Sequence, residues 1–335
     1  MTERHNNFNM LRLVFASMVI LSHVPELQDG HRQRELLTQV FGTLSFGELA
    51  VDSFFVLSGY LVSKSWMARP VARTYLAARL LRIFPGFAVA SLVCALLIGP
   101  LYGGPAYFEQ FNPLRYAWTW ATLAPPSTPP VFADTPYPLL NASLWTIRYE
   151  FFCYLMVLAL GLVFPSRQAK MWLALAGVLA AAFITMRLGW WAPPAPMVEN
   201  LVRCGMVFSA GACFARFESR WVWSGPGAWL ALGVWLLLMP LNALAEVATA
   251  WCWGYALLVY AKQGAGLQAF NRLPDMSYGT YLYAWPINKI LLWHWPDMAT
   301  PLCFGLTLGL SLGAGALSWH WVERPALRLK QRFWA

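Results

Sequence analysis

Arg12 and His23 stand inside the first apolar stretch of the chain, eleven positions apart. A guanidinium in a hydrocarbon-facing helix costs roughly 2.5–3.5 kcal/mol on insertion scales. Such a residue persists where it faces a protein-lined cavity with something to bind. Eleven steps of about 100° end about 20° past three full turns, so the two side chains share one helix face. At about 1.5 Å per residue they lie roughly 16 Å apart along the axis. One helix thus offers a cation near one end of a channel and a titratable imidazole deeper in it.

Other ionisable groups fall in or beside apolar stretches. Glu48 and Asp52 share a helix face at the start of the second stretch, ahead of Phe54-Phe55-Val56-Leu57-Ser58-Gly59. Asp52 sits on the outer half of its span, level with His23, so the register allows an Asp52–His23 pair that would fix the imidazole tautomer. The competing reading pairs Asp52 with an arginine for structure alone. Arg148 and Glu150 stand two apart, point to different faces of one helix, and each needs a partner from another helix. Glu150 is a candidate acid/base, or a partner for Arg12, Arg203 or His23. Arg79 and Arg82 stand three apart at the inner end of the third span, and the guanidinium fork suits phosphate oxygens. The plain alternative for them is ordinary inner-surface charge. Asn288 and Lys289 lie in the ninth span. His294, between Trp293 and Trp295, reads as interfacial structure, and His320 is a weak candidate. Asn141-Ala142-Ser143 matches a glycosylation sequon of the kind that arises by chance.

The elements that position these groups follow from composition. Hydrophobic residues make up 59% of the 335, and charged residues only 12%, where globular chains carry about 25% charged. The chain therefore reads as an all-α, polytopic membrane bundle, since a soluble core of this size lacks the polar surface to cover it. The stretches are too long for a β-barrel and lack period-two alternation. Ten spans are predicted, at about 8–25, 45–65, 83–103, 141–164, 171–191, 200–217, 226–243, 244–262, 277–296 and 300–322. With the N-terminus inside, 16 of the 24 basic residues fall in inner segments and only Arg32, Arg34, Arg115 and Arg187 in outer loops. That bias puts both termini in the cytoplasm. It also explains the net charge of +9 without nucleic acid. The longest outer loop, about 104–140, is too rich in proline for a regular helix and is either a cover over an outer site or an interfacial connector. The six cysteines all fall in apolar stretches without metal-ligand spacing, so they read as buried apolar residues. No cleavage site marks the first stretch as a signal peptide, so it is kept as a membrane helix. No soluble domain, repeat, phosphate loop, zincin pair or nucleophile elbow is found.

Six segments, in order, resemble the membrane-bound acyltransferase-3 family of acyl-CoA-dependent carbohydrate O-acyltransferases. They are the Arg12/His23 pair; Gly47 and Val51 through Gly59, one residue longer than the family's motif and with Asp52 at its acidic position; Arg79, Arg82, Ile83 and Pro85; Leu144-Trp145-Thr146-Ile147-Arg148-Tyr149-Glu150; Ser277-Tyr278 with Tyr281-Leu282; and Glu323 with Pro325. The resemblance covers about residues 6–330. It implies a single integral-membrane acyltransferase domain over 1–335, without the hydrolase-like extracytoplasmic domain that many relatives append. One departure is Ala284, where the family often has histidine; Asn288 is a candidate to fill that role.

What the resemblance implies is transfer of an acetyl or other acyl group from cytoplasmic acetyl-CoA to a hydroxyl of a cell-surface or lipid-linked carbohydrate, at the inner membrane and without metal. Arg79 and Arg82, helped by Arg12, are expected to hold the CoA phosphates. His23 is expected to act as general base or covalent relay, with Asp52 or Glu150 orienting it. The alternatives are a transporter or flippase for a glycolipid or anionic solute, which would use the same intramembrane charges, and a non-catalytic scaffold.

Overall fold

A computed structural model describes residues 6–263 and 274–329. Arg4, Arg272, Lys330 and Arg332, which contribute to the predicted orientation, lie outside them. Every regular element among the described residues is helical. We number the principal helices α1 (Phe8–Asp29), α2 (Phe46–Ala68), α3 (Ala72–Tyr102), α4 (Trp145–Val163), α5 (Gln168–Arg187), α6 (Pro196–Arg216), α7 (Gly225–Leu238), α8 (245–263), α9 (Ser277–His294) and α10 (Thr300–Arg328). Each predicted span overlaps one of these helices. Among the described residues, α1, α2, α3, α4, α5 and α10 are long and apolar enough to cross a membrane.

The described residues divide into two compact units. The first comprises the described parts of Met1–Phe15, Leu37–Tyr75 and Tyr149–Arg272. Its centre is the contact of α2 with α6. A Cβ on Gly59 would stand 2.1 Å from the Phe208 carbonyl oxygen, and one on Gly211 would stand 2.2 Å from that of Val56. Only glycine lets the two backbones meet, the small-residue packing by which helices associate without a hydrophobic drive. α2 begins with a capping box. Ser45 Oγ accepts from the Glu48 amide at 3.1 Å, and the Glu48 carboxylate accepts from the Ser45 amide at 2.9 Å. That engages Glu48 at the helix start.

The second unit comprises the described parts of Ala16–Leu36, Leu76–Arg148 and Leu273–Ala335. α9 meets α10 where a Cβ on Gly279 would lie 2.7 Å from Gly315 Cα. Pro286 inside α9 has no amide to give the carbonyl four residues earlier, which is that of Leu282. Asn141 Nδ2 donates to it instead, at 2.8 Å. The sequon asparagine is thus 2% exposed and repairs a helix. The segment 104–140 contains the short helix Pro113–Ala121 and then an irregular run. Phe132, Asp134 and Tyr137 there take φ of 55°, 62° and 56°, the left-handed region that non-glycine residues seldom adopt. Lys289, 1% exposed, pins this run by donating to Thr135 Oγ1 and to the Pro136 carbonyl oxygen.

Candidate active site

α1 continues past its predicted end, through Pro25, to Asp29. The added turn brings Glu26 one turn beyond His23, on the same face. His23 Nδ1 and Glu26 Oε2 are 3.0 Å apart. The carboxylate is 6% exposed and held from two further directions. Tyr137 donates its hydroxyl to Oε1 at 3.1 Å, and Arg32 Nε lies 3.4 Å from the same oxygen. Trp285 sets its ring edge-to-face against the imidazole, with centroids 5.2 Å apart. Chemically this is an imidazole whose Nδ1 faces a carboxylate. Such a contact fixes the tautomer with hydrogen on Nδ1, turns Nε2 into the basic nitrogen, and stabilises the imidazolium formed when Nε2 takes a proton.

His23 lines a small cleft. Tyr281, Ser143, Trp285, Asn288 and Thr307 line it with His23. Two of its polar groups are already engaged. Tyr281 donates its hydroxyl to the Ser143 carbonyl oxygen and shares a hydrogen bond with Thr146, and Ser143 Oγ donates to Asn141 Oδ1 at 2.7 Å.

The other expected site residues are placed as follows. Arg12 is half-buried on α1, the same continuous helix that carries His23. Asp52 is fully buried and accepts from Arg203 Nη2 at 3.0 Å. Arg203 Nε lies 3.2 Å from Glu246, and Glu246 lies 3.5 Å from Arg187. Asp52 therefore ends a buried chain of alternating charge in the first unit, the arginine pairing weighed from sequence. Glu150, in that unit, accepts from Ser58 Oγ at 3.2 Å and from the Tyr154 hydroxyl. Arg148 donates from Nε and Nη2 to the carbonyl and hydroxyl oxygens of Thr122, so its partner lies in the 104–140 segment and not on a second long helix. Arg79 is half-buried on α3. Arg82 lies 2.7 Å from Asp275 and 3.8 Å from Glu323, with its guanidinium over the Tyr278 ring.

The carboxylate on the imidazole is thus Glu26, a residue that the sequence reading did not single out. Its signal was present in the i,i+3 spacing from His23. The predicted span stops at residue 25, one position short of Glu26. Tyr137 and Arg32 carry no such signal, since they reach Glu26 only through tertiary contact. His294, read as structural, meets the Tyr102 hydroxyl at 3.2 Å.

Comparison with known proteins agrees in one direction. A family described as an acyltransferase domain matches residues 5–319. The O-acetyl transferase of Shigella phage Sf6 is 26% identical over 97% of this chain and 97% of its own. Nodulation protein 10 of Rhizobium leguminosarum bv. viciae is 27% identical over 97% and 94%, and acyltransferase MdmB of Streptomyces mycarofaciens 23% over 96% and 91%. No solved structure matches the chain.

Proposed function

Because this chain belongs to the acyltransferase-domain family, we propose that it transfers an acetyl group from cytoplasmic acetyl-CoA to a hydroxyl of an extracytoplasmic cell-surface carbohydrate. The observation that carries the mechanism is the His23–Glu26 contact of 3.0 Å at the wall of a cleft. The name of the phage relative, an O-acetyl transferase, supports acetyl as the group and oxygen as the acceptor atom.

In this reading Glu26 fixes the imidazole, and Tyr137 and Arg32 fix Glu26. His23 Nε2 removes the proton from the acceptor hydroxyl as its oxygen attacks the thioester carbonyl carbon. The carbon–sulfur bond breaks, the CoA thiolate leaves, and the imidazolium returns the proton to sulfur. The products are an acetyl ester and free CoA. Arg79 with Arg82 on α3 are the residues for the phosphates of CoA at the cytoplasmic surface, and Arg12 offers a further guanidinium on the helix that carries His23. An extended pantetheine arm bridges much of the roughly 16 Å that the helical rise puts between Arg12 and His23. Asp52 and Glu150 act in support, Asp52 by neutralising Arg203 and Glu150 by ordering Ser58 and Tyr154.

Membranes carrying the chain, given acetyl-CoA labelled in the acetyl group, should pass label to carbohydrate. His23→Ala should end the transfer with the protein still present in the membrane. Undiminished labelling by that variant defeats the mechanism, and no labelling by the unaltered chain defeats the reaction.

A further inference from the structure

Asn288 lies on α9, 2% exposed, and lines the same cleft as His23. Neither its Nδ2 nor its Oδ1 has a hydrogen-bond partner. A primary amide carries two donors and an acceptor, and burying them unbonded opposes folding. Asparagine also competes poorly for helix interiors. Nothing in the packing of α9 calls for this side chain, since its neighbours Tyr281, Ala284, Trp285 and Leu292 supply the apolar and ring contacts. The Thr307 hydroxyl on the same cleft is also unbonded, but a helical threonine can turn its hydroxyl to the carbonyl four residues back. An asparagine amide has no such local remedy for both its ends. It needs a partner that accepts at Nδ2 and donates at Oδ1.

The two reactants of the proposed transfer offer that pair: a carbonyl oxygen on the acyl donor and a hydroxyl on the acceptor. We propose that Asn288 is a catalytic residue of the His23 cleft, its Nδ2 donating to the acyl carbonyl oxygen and its Oδ1 accepting from a hydroxyl of the carbohydrate. The inference rests on the acyl-transfer reading. As the carbonyl carbon becomes tetrahedral, negative charge gathers on its oxygen, and a donor already aimed at that place needs no reorganisation. The low-dielectric surroundings strengthen the bond at that moment. His23 supplies the base and Asn288 the complementary electrophilic contact, so one cleft holds both halves of the chemistry.

The test is Asn288→Leu, close to isosteric, with Asn288→Ala as a second variant should leucine hinder accumulation. Native membranes containing each form are supplied with labelled acetyl-CoA over a range of concentrations, and thermal unfolding of the detergent-solubilised proteins is followed in parallel. Removing one such donor should lower kcat by about 10²–10³-fold and leave the KM for acetyl-CoA within about threefold. Because leucine also removes an unbonded buried amide, the midpoint of unfolding should stay level or rise. Unchanged kcat in an otherwise active protein overturns the inference and leaves the acyl-transfer reading intact. So does a fall in kcat accompanied by a lower midpoint, which would make the amide a structural group. Absence of transfer by the unaltered chain instead removes the reading on which the inference rests.

Discussion

Arg203→Met isolates the buried charge chain of the first unit. Arg203 is 6% exposed and stands between two carboxylates, Asp52 at 0% and Glu246 at 3%. Its Nη2 lies 3.0 Å from Asp52 and its Nε 3.2 Å from Glu246. Glu246 keeps a second cation, Arg187 at 3.5 Å, when Arg203 is lost. Asp52 keeps none within ion-pair distance among the described residues. Its other carboxylate oxygen, Oδ2, has no hydrogen bond at all. Breaking a buried pair from one side strands a charge, at a cost of about 3–5 kcal/mol. The unit is large, so each kcal/mol moves the unfolding midpoint by roughly 2–4 °C, which puts the expected drop at about 6–20 °C. Replacing both partners should behave differently. Asp52→Asn with Arg203→Met leaves no stranded charge at that end, and Arg187 still neutralises Glu246, so most of the loss should be recovered. The assay is thermal unfolding of detergent-solubilised single and double variants, read by circular dichroism. A single variant within about 2 °C of the parent, or a double variant no better than the single, would refute the reasoning.

Glu26→Gln keeps the size of the side chain while losing its charge and its preference for hydrogen on Nδ1, so transfer of labelled acetyl should fall by about 10²–10⁴-fold with protein level in the membrane unchanged; a rate within about threefold of the parent would show that the contact is not part of the chemistry. Gly59→Ala drives a methyl into the Phe208 carbonyl oxygen, 2.1 Å from the ideal Cβ, where no rotamer relieves the clash, so α2 and α6 must part and stability should fall by about 1–3 kcal/mol or more; an unfolding midpoint equal to the parent's would contradict that packing. Burial of Glu218 opposes its ionisation, but hydrogen bonds from Lys262, Lys64 and Tyr60 outweigh it and pull the carboxyl down from 4.5 to about 2. A depressed carboxyl stabilises the fold fully above its unfolded value and loses that contribution as pH falls through the folded one. Glu218→Gln should therefore be less stable than the parent at neutral pH, with the difference closing between about pH 4.5 and pH 2 in an unfolding series; a constant difference across that window would remove the role.

How the site is built shows why it was only partly readable. The pairing of Arg12 with His23 on one helix follows from spacing, because a helix has a fixed period. Arg203 as the partner of Asp52 does not, since 151 residues separate them and the choice depends on which faces α2 and α6 bring together. Those faces are chosen by Gly59 and Gly211, whose lack of a Cβ matters only once the second backbone is beside them. Glu26 lies one position past the predicted end of the first span, whereas the helix runs on to Asp29 and Tyr137, Arg32 and His23 meet the carboxylate. Asn288 was visible as a polar residue in an apolar helix, but not as an unbonded one.

The amino-acid order alone determined that this chain is helical and rich in apolar helices, that it is similar to acyltransferases, and that Arg12 and His23 share a helix. Each of these is written in composition, periodicity or local motif, which depend on neighbours a few residues away. The tertiary structure decided that Asp52 belongs to an arginine, that the 104–140 segment reaches Glu26 through Tyr137, and that Asn288 lines the cleft with both ends of its amide unbonded. Those are contacts between residues far apart in the chain, and only the packing of helices, set by shape and by the need to neutralise buried charge, selects among the partners that spacing allows.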